Sequence, residues 1–146
     1  MKELPVRKDG HELLGEVVVG DAVLSVPPSV ALSNTGKIVD VYLSKMNDVF
    51  KMATLDHFVI MPNHVHLLIV LQTERSGTLR TASPTKALIP RIVHGMKSVT
   101  SRQSGFSIWQ RSYHDRIIRN EVEYQKIWQY IEENPARWTE DSFYTQ

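Results

Sequence analysis

Cysteine is absent from this chain of 146 residues. That excludes disulfide scaffolds, thiol catalysis, iron–sulfur clusters and Cys-ligated zinc together, and it accords with a reducing compartment. Long hydrophobic runs are absent too. The longest apolar stretch, residues 58–71, is interrupted by Pro62, Asn63, His64 and His66 and falls short of the roughly 20 residues of a membrane-spanning helix. No basic segment leads into an apolar run and a small-residue cleavage site, so the expectation is a soluble, cytoplasmic protein with no membrane partner. Neither an internal repeat nor a low-complexity tract is present. What remains, 42% apolar residues in a chain of this length, is the make-up of one compact domain spanning residues 1–146.

An excess of charge is missing as well: 17 Lys plus Arg face 16 Asp plus Glu, for a net +1. The average conceals a partition. Residues 1–74 hold six basic and nine acidic side chains and residues 120–146 two and six, whereas residues 75–119 hold nine basic ones against a single acid, Asp115. Such a block is a candidate phosphate-binding surface, because Lys and Arg that neutralise phosphates release condensed counterions. A solvated face that keeps the protein in solution is the plainer alternative.

Hydrophobic patterning predicts an α+β domain. Residues 13–19 and 22–26 are apolar and β-branched around Gly20-Asp21, the pattern of a hairpin closed by Pro27 and Pro28. Apolar side chains from Ile38 to Phe50 recur at helical spacing over residues 35–50, with Asn34 as N-cap. Residues 55–61 and 64–71 read as antiparallel strands around a Pro62-Asn63 turn, and residues 72–84, rich in Thr, Ser and Gly, as a loop. A second helix is expected over residues 90–102, with Pro90 in its first turn. The third opens on Asn120, with Glu123 as its capping-box partner, and stops at Pro135. The sum is an antiparallel sheet layered with helices.

His64 and His66 flank Val65. Side chains alternate along a strand, so both imidazoles project to one side, roughly 7 Å apart along the chain and within reach of one cation. The same face continues with Leu68 and Val70, and the opposite one carries Val65, Leu67, Ile69 and Leu71. Two hydrogen-bonded core histidines are the alternative to a metal site. No Glu follows within a few residues as in the cupin pattern, and the His-Glu-x-x-His of a zinc protease is absent. A complete site therefore needs an oxygen ligand from another element.

The third helix offers one. With Tyr124 as origin at about 100° per residue, Ile127, Trp128 and Ile131 form the buried stripe. Tyr130 and Asn134, four apart, project together from the flank of the last turn. A phenol with a pKa of about 10 is a weak nucleophile at neutral pH, and a divalent ion polarising a phosphoryl oxygen supplies the activated electrophile it needs. With nitrogen and amide ligands, Mg2+ or Mn2+ is inferred from the phosphoryl chemistry rather than from affinity. Alternatively, Tyr130 packs at a boundary and Asn134 caps the helix before Pro135.

Three blocks, FVIMPNHVHLLIV, WQRSYHDRIIRNE and YIEENPARW, in this order and at this separation, resemble the single-tyrosine HUH transposases (His, hydrophobe, His), and in particular the branch of REP-associated tyrosine transposases. The resemblance runs over residues 13–138. It implies a ferredoxin-like α+β fold, an antiparallel sheet with helices on one face. His64 and His66 match the metal ligands, Asn134 the third ligand and Tyr130 the nucleophile, with a divalent cation, Mg2+ or Mn2+, as cofactor. The implied activity is that of a DNA transposase or strand transferase. Single-stranded DNA is cut next to a hairpin, leaving a 5′-phosphotyrosine and a free 3′-hydroxyl, and a second strand's 3′-hydroxyl then resolves the link.

The basic block thereby acquires a partner. Lys97, Arg102, Arg111, Arg116 and Arg119 become candidate phosphate contacts, and Trp109, Tyr113 and His114 candidate stacking surfaces for unpaired bases; a core Trp109 and solvent-facing arginines are the alternatives. Two departures stand out. Relatives begin with an aromatic-rich strand of the type YFVTICT, where only MKELPVRKDG precedes residue 11 here. The sheet is thus expected to be one strand short, or to have that strand supplied by other chain or by a second molecule in a homodimer. His114 and Arg116 also stand where relatives carry an aromatic and a His. A catalytically inactive hairpin-DNA-binding protein of the same fold is the alternative function, and a small metal-dependent phosphodiesterase a third.

Overall fold

The β-branched and apolar residues on either side of Pro62-Asn63 pair as one long hairpin at the centre of the structure, a computed structural model that describes residues 2–6, 13–18, 28–72 and 84–140. In chain order the elements are β1 (Lys2–Pro5), β2 (Gly15–Val18), β3 (Ser29–Leu32), α1 (Asn34–Val49), β4 (Ala53–Met61), β5 (His64–Leu71), α2 (Pro84–Ser104), β6 (His114–Asp115) and α3 (Glu121–Glu133), followed by a 3₁₀ segment over Asn134–Glu140. The main sheet runs β4-β5-β1-β6 with every neighbouring pair antiparallel. Since α1 links β1 to β4 and α2 links β5 to β6, two βαβ units interleave in the ferredoxin-like manner. β2 and β3 form a separate two-stranded sheet.

The expectation of a missing first strand is corrected. Lys2–Pro5 lies inside the sheet, with Lys2 opposite both Leu67 and Asp115 and Pro5 opposite His64. Leu4 and Val6 are buried. The Val6 N–H donates to the Asn63 carbonyl and the Gln110 N–H to that of Pro5, so four residues are held from both sides without a second molecule. Past Leu67, the partner of Lys2, Leu68–Leu71 keep β4 on one edge, and on the other they border a cleft of about 720 Å³ whose far walls are Ile89, Pro90 and residues 115–121.

The sheet is covered on both faces rather than one. Val65 and Leu67 share a core with Val39, Leu43 and Met46 of α1 and Ile92, Val93 and Met96 of α2. Leu68, on the opposite face with the histidines, packs against Ile127 and Ile131 of α3.

Local chemistry accounts for the helix ends. Ser33, not Asn34, caps α1: its hydroxyl accepts from the Gly36 N–H at 3.0 Å and donates to the Leu13 carbonyl at 2.7 Å. Val49, expected on the apolar side, is exposed. α2 begins six residues before Pro90, so the proline of its first turn is Pro84 and Pro90 is interior. It stops at Gly105, whose φ of 81° is cheap only for glycine. Asn120 caps α3 by accepting from the Glu123 N–H at 2.8 Å. The Glu123 carboxylate does not return to Asn120 but takes the Arg119 N–H at 3.1 Å and the Arg116 guanidinium at 2.6 Å. Pro135 does not end the helical path; it converts it to the 3₁₀ segment that carries Trp138.

The partner of β2 is Ser29–Leu32, past the two prolines; the Gly20-Asp21 turn and residues 22–26 lie outside the described residues, as do residues 73–83 of the expected loop. Among the described residues no helix is long and apolar enough to cross a membrane.

Two outcomes are expected of this framework. A Cβ on Gly36 meets the Leu14 carbonyl oxygen at 1.9 Å, a backbone atom that cannot swing away. Gly36→Ala should therefore lower urea-denaturation stability by about 1–3 kcal/mol, whereas Lys37→Ala on the exposed side stays within about 0.5 kcal/mol. The Arg119 N–H and the Arg116 guanidinium hold the Glu123 carboxyl below its ordinary value of 4.5. A depressed carboxyl contributes stability above that value and loses it as pH falls through the folded one. The urea midpoint should fall more steeply between about pH 5 and about pH 3 in the wild type than in Glu123→Gln.

Candidate functional site

The tight Pro62-Asn63 turn starts β5 directly at His64, so strand alternation sends His64, His66 and Leu68 to the α3 face. Both imidazoles are fully buried. Their Nε2 atoms are 2.9 Å apart, with the rings edge to face at 84°. Asn63 Oδ1 lies 2.8 Å from His64 Nδ1. An amide oxygen accepts, so Nδ1 carries the proton and His64 Nε2 keeps its lone pair pointed at His66.

α3 and the 3₁₀ segment that follows it roof this pair. The Tyr130 ring stands edge-on to His66 at 5.4 Å between centroids, and the Trp138 ring lies over His64 at 6.0 Å. Asn134 sits midway between them in the chain and is buried, and its Oδ1 has no hydrogen-bond partner among the described residues. A buried amide oxygen left in that state costs about 1–3 kcal/mol unless a ligand meets it. Among the described residues no group of three His, Cys, Asp or Glu gathers, so the donor atoms that do meet are the two imidazole nitrogens. The pair fits an octahedral cation: two donor atoms held about 2.0–2.1 Å from one such ion at a right angle stand about 2.9 Å apart, the separation found here.

The other flank of α3 rests on β4. The Tyr124 hydroxyl donates to Asp56, and that hydrogen bond raises the phenol above its ordinary value, keeping it a donor. Trp128, expected in the buried stripe, is 38% exposed and stacks on His57 at 4.5 Å. His57 Nε2 lies 2.9 Å from Glu132 Oε2, off the line of a regular hydrogen bond. Only Ile127 and Ile131 make the apolar spine. Asn63, Trp138, Asp56, His57 and Glu132 were not among the expected site residues. Asn63 was signalled by its place beside His64, and Trp138 by lying eight residues after Tyr130.

The basic block separates into structural and exposed members. The Lys97 ammonium donates to the Gln110 and Ser112 carbonyls at 2.7 and 3.0 Å and sits 5.8 Å from the Tyr113 ring centroid; burial lowers its pKa. It holds chain rather than presenting itself to a phosphate. Trp109 is corrected to a core residue: it is 7% exposed and its indole N–H donates to Thr100 Oγ1 at 2.9 Å, so neither ring face is available to a base. Tyr113 is half-buried and Arg116 pairs with Glu123, whereas Arg102, Arg111, His114 and Arg119 have exposed side chains.

No family model matches the chain. An uncharacterized protein of Haemophilus influenzae is 33% identical over 113 residues, covering 65% of this chain and 61% of the relative. A solved structure of a REP-associated tyrosine transposase bound to a REP hairpin superposes with a TM-score of 0.62 at 17% identity, covering 94% of this chain and 66% of that one. The chain thus spans 61% of the length of the first protein and 66% of the second. At that identity the likeness establishes a shared fold, the antiparallel sheet and helices described above.

Proposed function

We propose that this chain is a DNA strand transferase that cuts and rejoins hairpin-marked single-stranded DNA through Tyr130. One observation carries the reading: Tyr130 lies against His66, whose Nε2 meets that of His64, and four residues after Tyr130 the Asn134 oxygen is buried without a hydrogen-bond partner among the described residues. A nucleophile and a metal-competent donor set on one buried face are what phosphodiester transfer by a tyrosine requires. The fold shared with a hairpin-bound transposase supports the choice of DNA.

His64, His66 and Asn134 would hold a divalent cation, Mg2+ or Mn2+, which when bound supplies Lewis acidity toward a phosphoryl oxygen. Asn63 fixes the tautomer of His64 through its outer nitrogen, as outer partners of metal-binding histidines do. The Tyr130 oxygen attacks phosphorus and loses its proton. The bond to the 3′-oxygen breaks and that oxygen takes up a proton, leaving a 5′-phosphotyrosine and a 3′-hydroxyl. Attack by the 3′-hydroxyl of a second strand reverses the exchange and restores the phenol. The buried walls of Trp138 and Ile131 limit the access of water to the linkage, favouring transfer over hydrolysis. Arg102, Arg111 and Arg119 are the proposed phosphate contacts, and His114 the exposed ring for a flanking base.

A hairpin oligonucleotide with single-stranded flanks, incubated with Mg2+ or Mn2+, should form a denaturant-resistant protein–DNA adduct. Tyr130→Phe should abolish it while leaving hairpin affinity within about twofold, since one hydroxyl adds no phosphate contact. An adduct surviving in Tyr130→Phe refutes the assignment, and salt-dependent binding with no adduct in the wild type identifies a binding protein instead. Asn63→Ala should weaken Mn2+ binding by about 10–100-fold in calorimetric titration.

A further inference from the structure

β4 contains an irregularity whose consequence falls on α3. Leu55 pairs with Ile69 and His57 with Leu68, so Asp56 is an extra residue in the ladder. In an unbroken strand Asp56 and His57 would face opposite sides. Here Leu55, Phe58 and Ile60 all contribute to the α1–α2 core, and Val59 belongs to the cluster around Ile127 and Ile131. Asp56 and His57, although consecutive, both reach α3: Asp56 accepts from Tyr124, and His57 meets Trp128 and Glu132. A bulge re-aims side chains in this way.

Three stripes then divide α3. Tyr124, Trp128 and Glu132, four apart, rest on the bulge; Ile127 and Ile131 form the spine; Tyr130 faces His66. The spine alone would let the helix roll, because apolar burial is non-directional. The Asp56 hydrogen bond and the His57 stack are directional and oppose it. The distances at stake are small: a roll of about 20° carries a side-chain tip roughly 5–6 Å from the axis through about 2 Å, and about 1 Å of misplacement can cost a reaction about 100-fold.

We infer that Asp56 and His57 are positioning residues for Tyr130: the β4 bulge sets the rotation of α3 and hence the angle at which the phenol meets the histidine pair. The inference rests on Tyr130 being the nucleophile, but its geometry can be read without catalysis. The test uses the full chain with 3-fluorotyrosine at position 130 and the double variant Tyr124→Phe/Glu132→Leu, which removes both polar contacts while leaving the spine intact. Without DNA, the fluorine resonance should shift or split relative to wild type. With saturating hairpin oligonucleotide and Mn2+, single-turnover adduct formation should fall by about tenfold or more while hairpin affinity stays within about twofold, a split that general loosening of the fold would not give. Asp56→Asn, which keeps an acceptor, should stay within about threefold of the wild-type rate.

An unchanged fluorine resonance in the double variant overturns the inference. So does a loss of hairpin affinity as large as the loss of rate. Should the double variant fail to fold, His57→Phe, which retains a ring on Trp128 but not the Glu132 contact, is read by the same two criteria. If the wild type forms no adduct yet the resonance moves, the proposed function falls and the positioning role stands.

Discussion

An imidazole taken out of water needs a partner for its ring nitrogens, and β5 takes two out together, two residues apart on the same face. Each supplies a partner to the other through the 2.9 Å Nε2 contact, and Asn63 holds the outer nitrogen of His64. Whatever roofs them must then offer flat apolar surface and a polar atom in alternation. A helix does this at intervals of four residues. Tyr130 supplies such a surface against His66 and Trp138 against His64, the second from the 3₁₀ segment that continues α3, with the buried Asn134 oxygen midway between them in the chain. The same burial explains why α3 lies across the sheet from α1 and α2.

The first strand shows how little chain the centre of a sheet needs when both edges are already fixed. MKELP has two charges and a proline and no alternation worth the name; in isolation it would not be extended. Between β5 and the residues around β6 it gains ladder bonds on both sides, and the Asn63 and Pro62 carbonyls at the β4–β5 turn take the N–H groups of Val6 and Leu14. The turn that presents the histidines thus also anchors the amino-terminal chain.

The hairpin of β4 and β5, the amphipathic α1, the Asn120 cap and the shared face of His64 and His66 were all legible, because each is written in local periodicity or capping chemistry. What was not legible depends on partners distant in sequence. The strand state of residues 2–5 is imposed by its neighbours, as β preference is generally contextual. Trp109 sits in a basic segment where a core ring and a stacking ring look alike until Thr100 is found beside its indole N–H. The wheel that put Trp128 in the buried stripe assumed a single buried face, whereas α3 is gripped on three. The bulge did leave a trace: Ala53-Thr54-Leu55-Asp56 alternates apolar and polar, and His57 then follows Asp56 as a second polar residue, which is the mark of a broken period.

A net charge of +1 and a polyanionic partner are compatible once the charges are placed. Lys97 is engaged with carbonyls and Arg116 with Glu123, which leaves Arg102, Arg111 and Arg119 exposed at the end of α2 and along the chain leading to α3. Glu121, Glu132 and Glu133 occupy α3 itself. At physiological ionic strength charges are screened beyond about 8 Å, so a phosphate responds to the nearest of these groups and not to the sum. On the proposed reading the DNA backbone is therefore held by these three arginines and kept off the acidic outer face of α3. Only the scissile phosphate then needs to approach the tyrosine, from the side where the histidines lie.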